Sequence, residues 1–583
     1  METLADAYKL TGEDHDKTVS PESTIERFQS RCRAAGLTIL ETTRRIDNNR
    51  LGIPVYFSIC GHDAHCLTGT KKQMGKGTTP TLAEASAIME LVERFSIYGY
   101  LNTPSNFRVD TYNNIGAEAI PFELLAASVH ENPETDLDLS RRLFSGLELK
   151  WTRAINMSRD REMIVPMDWF FMINEFNGSS SGNCNEEAIC QGACEIVERH
   201  VSSIISRERK TLPCIDSESV VNPSTRELIS KFSRAGIRLF INDFSLDTGI
   251  PTIGVLAWDP STFPHTSELV WTAGCAPSSD KALSRALTEV AQLGGDFNTA
   301  SSYVASGLPK YQTLIQVAFI TDPITTGACR KIGLKDLPDI SSPNIRLEIM
   351  GIIRQLSKKG FELLTINTTD SRLAIPAFYT MAPGTEFRER ADNCSIVMFA
   401  AKHTFENNRP EIALKKLTAM TELTPGHYVL HFYQGRCFLA LERHADALDQ
   451  FKKALGCCSS AQDIPSICSF AGSCLKDMGR YSQALTFLQK GIDIDPERAD
   501  IHNLMGYCHF MLGQHSQSIV CFESVIGLTP SSGIDHASIG SNYREMGQTA
   551  KAIRYYEIAL MLDPSLTFAR DNIERLRGDT VSG

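Results

Sequence analysis

No stretch of this sequence approaches the roughly 20 consecutive apolar residues that a membrane-spanning helix needs. The N-terminus, "METLADAYKLTGEDHDKTVS", has neither the basic start nor the apolar core of a signal peptide, so a cytoplasmic protein with no membrane partner is expected. Positive charge is not in excess: 58 Lys and Arg face 69 Asp and Glu, a net charge of −11. That balance argues against a broad non-specific nucleic-acid surface, and no nucleic-acid partner is expected. Zinc spacing is missing too. Cys60, His62, His65 and Cys66 in "CGHDAHC" are metal-type residues without C-x2-C or H-x3-H spacing, and the preceding "IPVYFS" predicts a strand entering an ordinary hairpin.

A phosphate-binding P-loop is also absent. In "GTKKQMGKGTTP", Gly69 and Gly75 are separated by five residues and Lys76 is followed by Gly77, whereas the motif is G-x4-G-K followed by Ser or Thr. What the chain does have is length. Its 583 residues exceed one hydrophobic core, so two or more domains are expected. A chain this large does not depend on disulfide staples, and most of the 17 cysteines are expected to be buried thiols.

The C-terminal third repeats. Gly435, Gly472, Gly506 and Gly540 are each followed 12 residues on by Ala447, Ala484, Ser518 and Ala552, and 16 on by Phe451, Leu488, Phe522 and Tyr556. Pro496, Pro530 and Pro564 close the last three copies, and Ala401, Ala413, Leu417 and Pro425 mark an earlier, degenerate one. Small residues let paired helices approach and proline stops the second, so each copy is a helical hairpin. The pattern resembles the tetratricopeptide repeat over about residues 394–577: five hairpins and a polar capping helix, then a tail at 578–583. The resemblance implies a concave surface for an extended peptide or a partner protein. The alternative is an array that packs on the first domain or forms a homodimer.

A different repeat lies upstream. After "GKGTTP", Thr81 and Glu84 have capping-box spacing and "LAEASAIMELVERF" predicts a helix whose one face carries Ser86, Glu90, Glu93 and Arg94. A shift of 105 residues superposes it on "GNCNEEAICQGACEIVERH": Ser86 falls on Gln191, Glu90 on Glu195, Glu93 on Glu198 and Arg94 on Arg199. In a third copy, "ALSRALTEVAQ", Arg285, Glu289 and Gln292 take the corresponding places. Small residues at Ala87 and Gly192 would let two such helices approach and bring four carboxylates together. That cluster is costly unless cations neutralise it, and magnesium suits carboxylate oxygens and substrate phosphates. Arg199 and Arg285 offer paired donors for phosphate. The plain alternative is helices joined by Glu–Arg salt bridges.

These motifs, "GKGTT…ASAIMELVER", "NGSSSGNCNEEAICQGACEIVER" and "ALSRALTEVAQ", resemble the YcaO family of ATP-dependent enzymes in family order, over about residues 17–390. The resemblance implies a Mg-ATP site that is not a P-loop. Glu90, Glu93, Glu195 and Glu198 would hold Mg2+, with Glu187 near metal and phosphates. Lys17, Thr24, Ser86, Asn183, Glu187, Gln191, Arg199 and Arg285 would contact ATP, with Arg199, Arg285 and Glu187 as the catalytic set. Family members add a nucleophile to a peptide carbonyl and phosphorylate the resulting oxygen, giving an azoline, a thioamide or an amidine. The substrate implied is a peptide or protein.

Azoline-forming members end in Pro-x-Pro-x-Pro, whereas this chain ends "RLRGDTVSG", so the azoline product is not favoured. No peptide-clamp domain is expected before residue 1, so leader-peptide recognition is expected to come from elsewhere, the repeats among the candidates, or to be absent. Accessory work in ribosomal-protein methylthiolation, or a nucleotide-binding adaptor without catalysis, are the alternatives. Around the motif helices, "IPVYFSIC", "GIRLFINDF", "IPTIGVLAWD" and "ELVWTAGC" predict strands whose aromatics belong to the core. The expected fold is thus an α+β or α/β domain of repeated βα units over residues 1–390, followed by an all-α repeat array.

Overall fold

The computed structural model describes residues 4–11, 16–48, 50–129, 137–297, 308–387 and 395–581. The chain divides into two compact units: Met1–Thr135 with Ser145–Ser395, and Asp136–Phe144 with Ile396–Gly583.

The first unit is built on three sheets. One has three antiparallel strands, Leu40–Arg45, β1 (Val55–Cys60) and β2 (Lys72–Lys76). A six-stranded sheet contains β3 (Ser179–Ser181), and a five-stranded sheet contains β4 (Thr252–Trp258) and β5 (Val270–Cys275). Each of β2, β3 and β5 leads directly into a long helix: α1 (Pro80–Leu101), α2 (Asn185–Glu208) and α3 (Ser279–Gly294). The four strands predicted from hydrophobic runs all form, and Phe240 and Phe244 are buried as core residues.

The repeated unit is an antiparallel strand pair followed by a helix. β1 pairs with β2 before α1, and β4 pairs with β5 before α3. The middle unit differs in origin, because β3 takes its partner from β6 (Ala377–Met381), far along the chain.

Close strand–helix contact decides where the small residues go. A Cβ on Gly75 of β2 would stand 2.0 Å from Ala87 N, and one on Gly274 of β5 would stand 2.7 Å from Ala286 N. At the corresponding place β3 carries Ser180, and the small residue moves to the helix: a Cβ on Gly192 would meet Ser180 Oγ at 2.8 Å and Thr380 Oγ1 at 2.6 Å. Hydroxyls tie each strand to its helix, with Ser58, Ser180 and Thr272 donating to the carbonyls of Ala87, Ala188 and Ala286 at 2.8, 2.7 and 3.0 Å. Ala87 and Gly192 therefore admit strands beneath their helices, where helix-to-helix approach was expected.

Three local expectations change. The α1 cap is Thr79, whose side chain accepts from Leu82 N, because Pro80 occupies the first helical position; Glu84 instead accepts from Thr43 Oγ1 at 2.6 Å. "CGHDAHC" is not a plain hairpin turn: the helix His62–Thr68 connects the antiparallel β1 and β2. Among the described residues no group of three or more His, Cys, Asp or Glu is gathered, as the side chains stand, to hold a metal ion. Of the 14 free cysteines described, nine are buried, but Cys214 and Cys329 form a disulfide. The parallel pairing of Cys214–Ile215 with Lys331–Ile332 brings that pair together.

The second unit is a helical-repeat array. Five hairpins run from Ile396–Glu406 with Pro410–Leu423 to Gly533–Glu545 with Thr549–Leu562, and Thr567–Val581 follows as a last helix. Each repeat glycine faces the large residue 16 positions on: a Cβ would stand 2.7 Å from the Phe451 ring at Gly435, 2.5 Å from Leu488 at Gly472, 2.8 Å from Phe522 at Gly506 and 3.0 Å from Tyr556 at Gly540. Ser518, standing where the other copies have alanine, satisfies its buried hydroxyl by donating to Gly506 O at 2.7 Å. Leu143 of the 136–144 segment joins the first hairpin's core with Val397, Ala401 and Leu417.

Candidate functional site

The acidic ridges of α1 and α2 adopt the same local geometry. Arg94 Nη2 lies 2.8 Å from Glu90 Oε1 and Nη1 lies 3.3 Å from Glu93 Oε1; Arg199 Nη2 lies 3.3 Å from Glu195 Oε1 and Nη1 lies 3.6 Å from Glu198 Oε1. In α3 the arginine position is Leu293, and Glu289 pairs instead with Lys76 of β2 at 2.5 Å.

The ridges are joined in a ring, because the residue ending each strand reaches the helix of the preceding unit in cyclic order. Lys76 holds Glu289 of α3, Cys275 N donates to Glu198 Oε2 of α2 at 3.2 Å, and Ser181 Oγ donates to Met89 O of α1 at 2.7 Å.

Electrostatics within this ring are strained by burial. Burial, then the neighbouring Glu90 and Glu195, pushes Glu93 well above the usual carboxylate range despite Arg94. Burial also raises Glu198, and with Glu289 and Glu195 nearby it reaches about 7 against the pull of Arg199 and Arg285. Arg94 and Arg199 are buried too, yet their glutamates hold both guanidiniums charged.

Beside the ring lies a polar cleft lined by Lys9, Asp16, Lys17, Glu187, Gln191 and Arg285, together with Lys281 and Glu348. Arg285 joins the two regions: its Nη1 donates to Gln191 Oε1 at 2.7 Å, and Glu198 and Asp16 keep its guanidinium charged despite burial. Glu187 is fully engaged, with Oε1 accepting from Thr18 N and Oγ1 at 2.6 and 2.7 Å and Oε2 accepting from Asn183 N and Nδ2, both at 2.9 Å. Thr24 Oγ1 donates to Asn183 Oδ1 at 3.0 Å. Ser86 stands half-buried on α1, one turn before Glu90.

The expected residues thus fall into two adjoining groups. Glu90, Glu93, Glu195, Glu198 and Arg199 form the ring; Lys17, Glu187, Gln191 and Arg285 line the cleft, with Thr24 and Asn183 behind Glu187. Sequence reasoning missed the Lys76 partner of Glu289 and the Asp16–Lys281 pair, the latter 3.1 Å apart. Only the third copy's unmatched Glu289 hinted at the first.

The donor set fits ATP with Mg2+. The ring supplies hard carboxylate oxygens, and burial disfavours the charge of Glu93 and Glu198, which a divalent cation would relieve. The buried Arg199 Nε has no hydrogen-bond partner among the described residues. The Lys17 ammonium likewise has none, while Asp16 and Glu187 nearby keep it charged against burial.

A domain assembled from three strand–helix units around buried carboxylates, followed by helical repeats, agrees with the family comparisons. The family described as YcaO cyclodehydratase, ATP- and Mg2+-binding, matches residues 74–386, and tetratricopeptide-repeat families match 400–461, 465–498 and 536–566. The chain belongs to the YcaO family, with tetratricopeptide repeats after the family domain, and ATP and Mg2+ are its cofactors.

An uncharacterized protein of Methanothermobacter thermautotrophicus is 27% identical over 399 residues, covering 64% of this chain and 95% of that protein. The ribosomal protein S12 methylthiotransferase accessory factor YcaO of Escherichia coli is 28% identical over 296 residues, 47% of this chain and 49% of that one. A heterocyclase solved in complex with substrate and cofactor shares the fold at 21% identity and a TM-score of 0.54, covering 66% of this chain and 54% of the heterocyclase. The chain therefore spans about half the length of the last two. No helix among the described residues is long and apolar enough to cross a membrane.

Proposed function

We propose that the protein is an enzyme that activates a peptide amide by ATP- and Mg2+-dependent O-phosphorylation, with the repeat array recruiting the peptide or a partner protein. The observation that carries this reading is the ring of buried and half-buried glutamates gripped by arginines and opening, through Arg285, onto a cleft whose Lys17 ammonium has no partner among the described residues.

In this reading Glu90, Glu93, Glu195 and Glu198 hold Mg2+, and Lys17, Gln191 and Arg285 face the phosphates. When bound, Mg-ATP supplies the phosphoryl group that turns a poor amide-oxygen leaving group into a good one. Arg199 and Arg285 place fixed positive charge where negative charge develops in transfer. Burial keeps water from competing for these contacts. Glu187, Thr24 and Asn183 shape the cleft wall, and Ser86 flanks the ring.

Calorimetric titration of ATP with and without Mg2+ tests the site. Tight, Mg2+-dependent binding is expected in the wild type and its loss in Glu93→Gln and Glu198→Gln; normal Mg2+-dependent affinity in both variants overturns the assignment.

A further inference from the structure

The three-unit repeat gives one set of positions a different task in each copy. The residue preceding Ala83, Ala188 and Ala282 is Leu82 in α1, Glu187 in α2 and Lys281 in α3. The last two grip the same short segment from opposite helices. Glu187 accepts two hydrogen bonds from Thr18, and Lys281 Nζ lies 3.1 Å from Asp16 Oδ1. Lys17 is the residue between them.

One turn further along the same faces, Gln191 and Arg285 occupy the next equivalent positions and hydrogen-bond each other across the cleft. Lys17 is thus clamped on both flanks while its own ammonium, which lines the cleft, is left unpartnered among the described residues. A lysine side chain carries about 2 kcal/mol of rotamer entropy, so fixing the backbone around it matters to any ligand it meets.

We propose that Asp16 and Lys281 are positioning residues that, opposite the Glu187–Thr18 clamp, fix Lys17 for the phosphates of the nucleotide. The inference rests on the nucleotide reading above. It assigns Asp16 a role opposite to the one its charge suggests. A carboxylate beside a phosphate site would be expected to repel the ligand, yet here its charge is spent on Lys281 and on orienting the chain. Removing it loosens Lys17 and weakens binding.

The test is calorimetric titration of Mg-ATP into the full chain and four variants: Lys17→Ala, Asp16→Asn, Lys281→Met, and the exchanged pair Asp16→Lys with Lys281→Asp. Loss of a charge-assisted contact that orders a ligand-binding group predicts weakening of about tenfold in each of the Asp16 and Lys281 variants. The exchanged pair should return to within about threefold of wild type, a recovery that a general loss of packing would not produce. Tighter binding in Asp16→Asn, unchanged binding in both single variants, or no recovery in the exchanged pair overturns the inference. If Lys17→Ala binds normally, or the wild type does not bind, the nucleotide reading itself fails; weakening in Lys17→Ala alone separates that case from failure of the clamp.

Discussion

Lys76 Nζ lies 2.5 Å from Glu289 Oε2, joining the strand of the first repeat unit to the helix of the third across 213 residues of sequence. Both side chains are mostly buried, at 24% and 11% exposure, so neither is replaced by water at no cost. Truncating one partner strands the other's charge, which typically costs about 3–5 kcal/mol. Lys76→Met should therefore lower stability by about 3 kcal/mol in denaturant unfolding, and Lys76→Met with Glu289→Leu should recover most of the loss. Equal destabilisation in both proteins would mean the pair does not close the ring.

Arg199 neutralises Glu195 and Glu198 from within its own helix. Arg199→Met removes that charge, and the wild-type chain should be the more thermostable in chelator. Added Mg2+ should then raise the melting temperature of the variant more than that of the wild type, because ligand binding to the folded state stabilises it by mass action. Identical shifts in both proteins would separate Arg199 from the carboxylates proposed to hold Mg2+.

Gly472 leaves 2.5 Å between a would-be Cβ and Leu488 Cδ2. Gly472→Ala should overpack that repeat by about 1–3 kcal/mol. Combining it with Leu488→Ala should show strong coupling, so the two penalties should not add in a double-mutant cycle followed by circular dichroism.

Asp259 is held low although burial opposes its charge. Ser261 donates from its hydroxyl and N–H at 2.6 and 2.8 Å, and Arg50 Nη2 lies 2.6 Å away, which brings the carboxyl to about 2. A folded value below the usual 3.8 means the stabilisation is complete above that pH and is lost as pH falls through about 2, roughly 2 kcal/mol in all. Asp259→Asn should be less stable than wild type by about that amount at pH 6. The gap should shrink steadily between pH 5 and pH 2, and a pH-independent difference in unfolding free energy would rule the linkage out.

Both repeats and the faces they present are legible in residue spacing. Spacing fixed which glycine meets which large residue in the array, because a helical hairpin returns after a set number of residues and packing there is local. Periodicity likewise placed Glu90, Glu93 and Arg94 on one stripe and paired them with Glu195, Glu198 and Arg199, since a helix face depends only on neighbours within two turns. The partners emerge only in the folded chain. β3 takes its strand from Ala377–Met381, Ala87 and Gly192 face strands instead of another helix, and Lys76 finds Glu289. Nothing local to those residues specifies these choices. They follow from which distant surfaces fit once the chain has closed, and from the need of each buried charge for an opposite one.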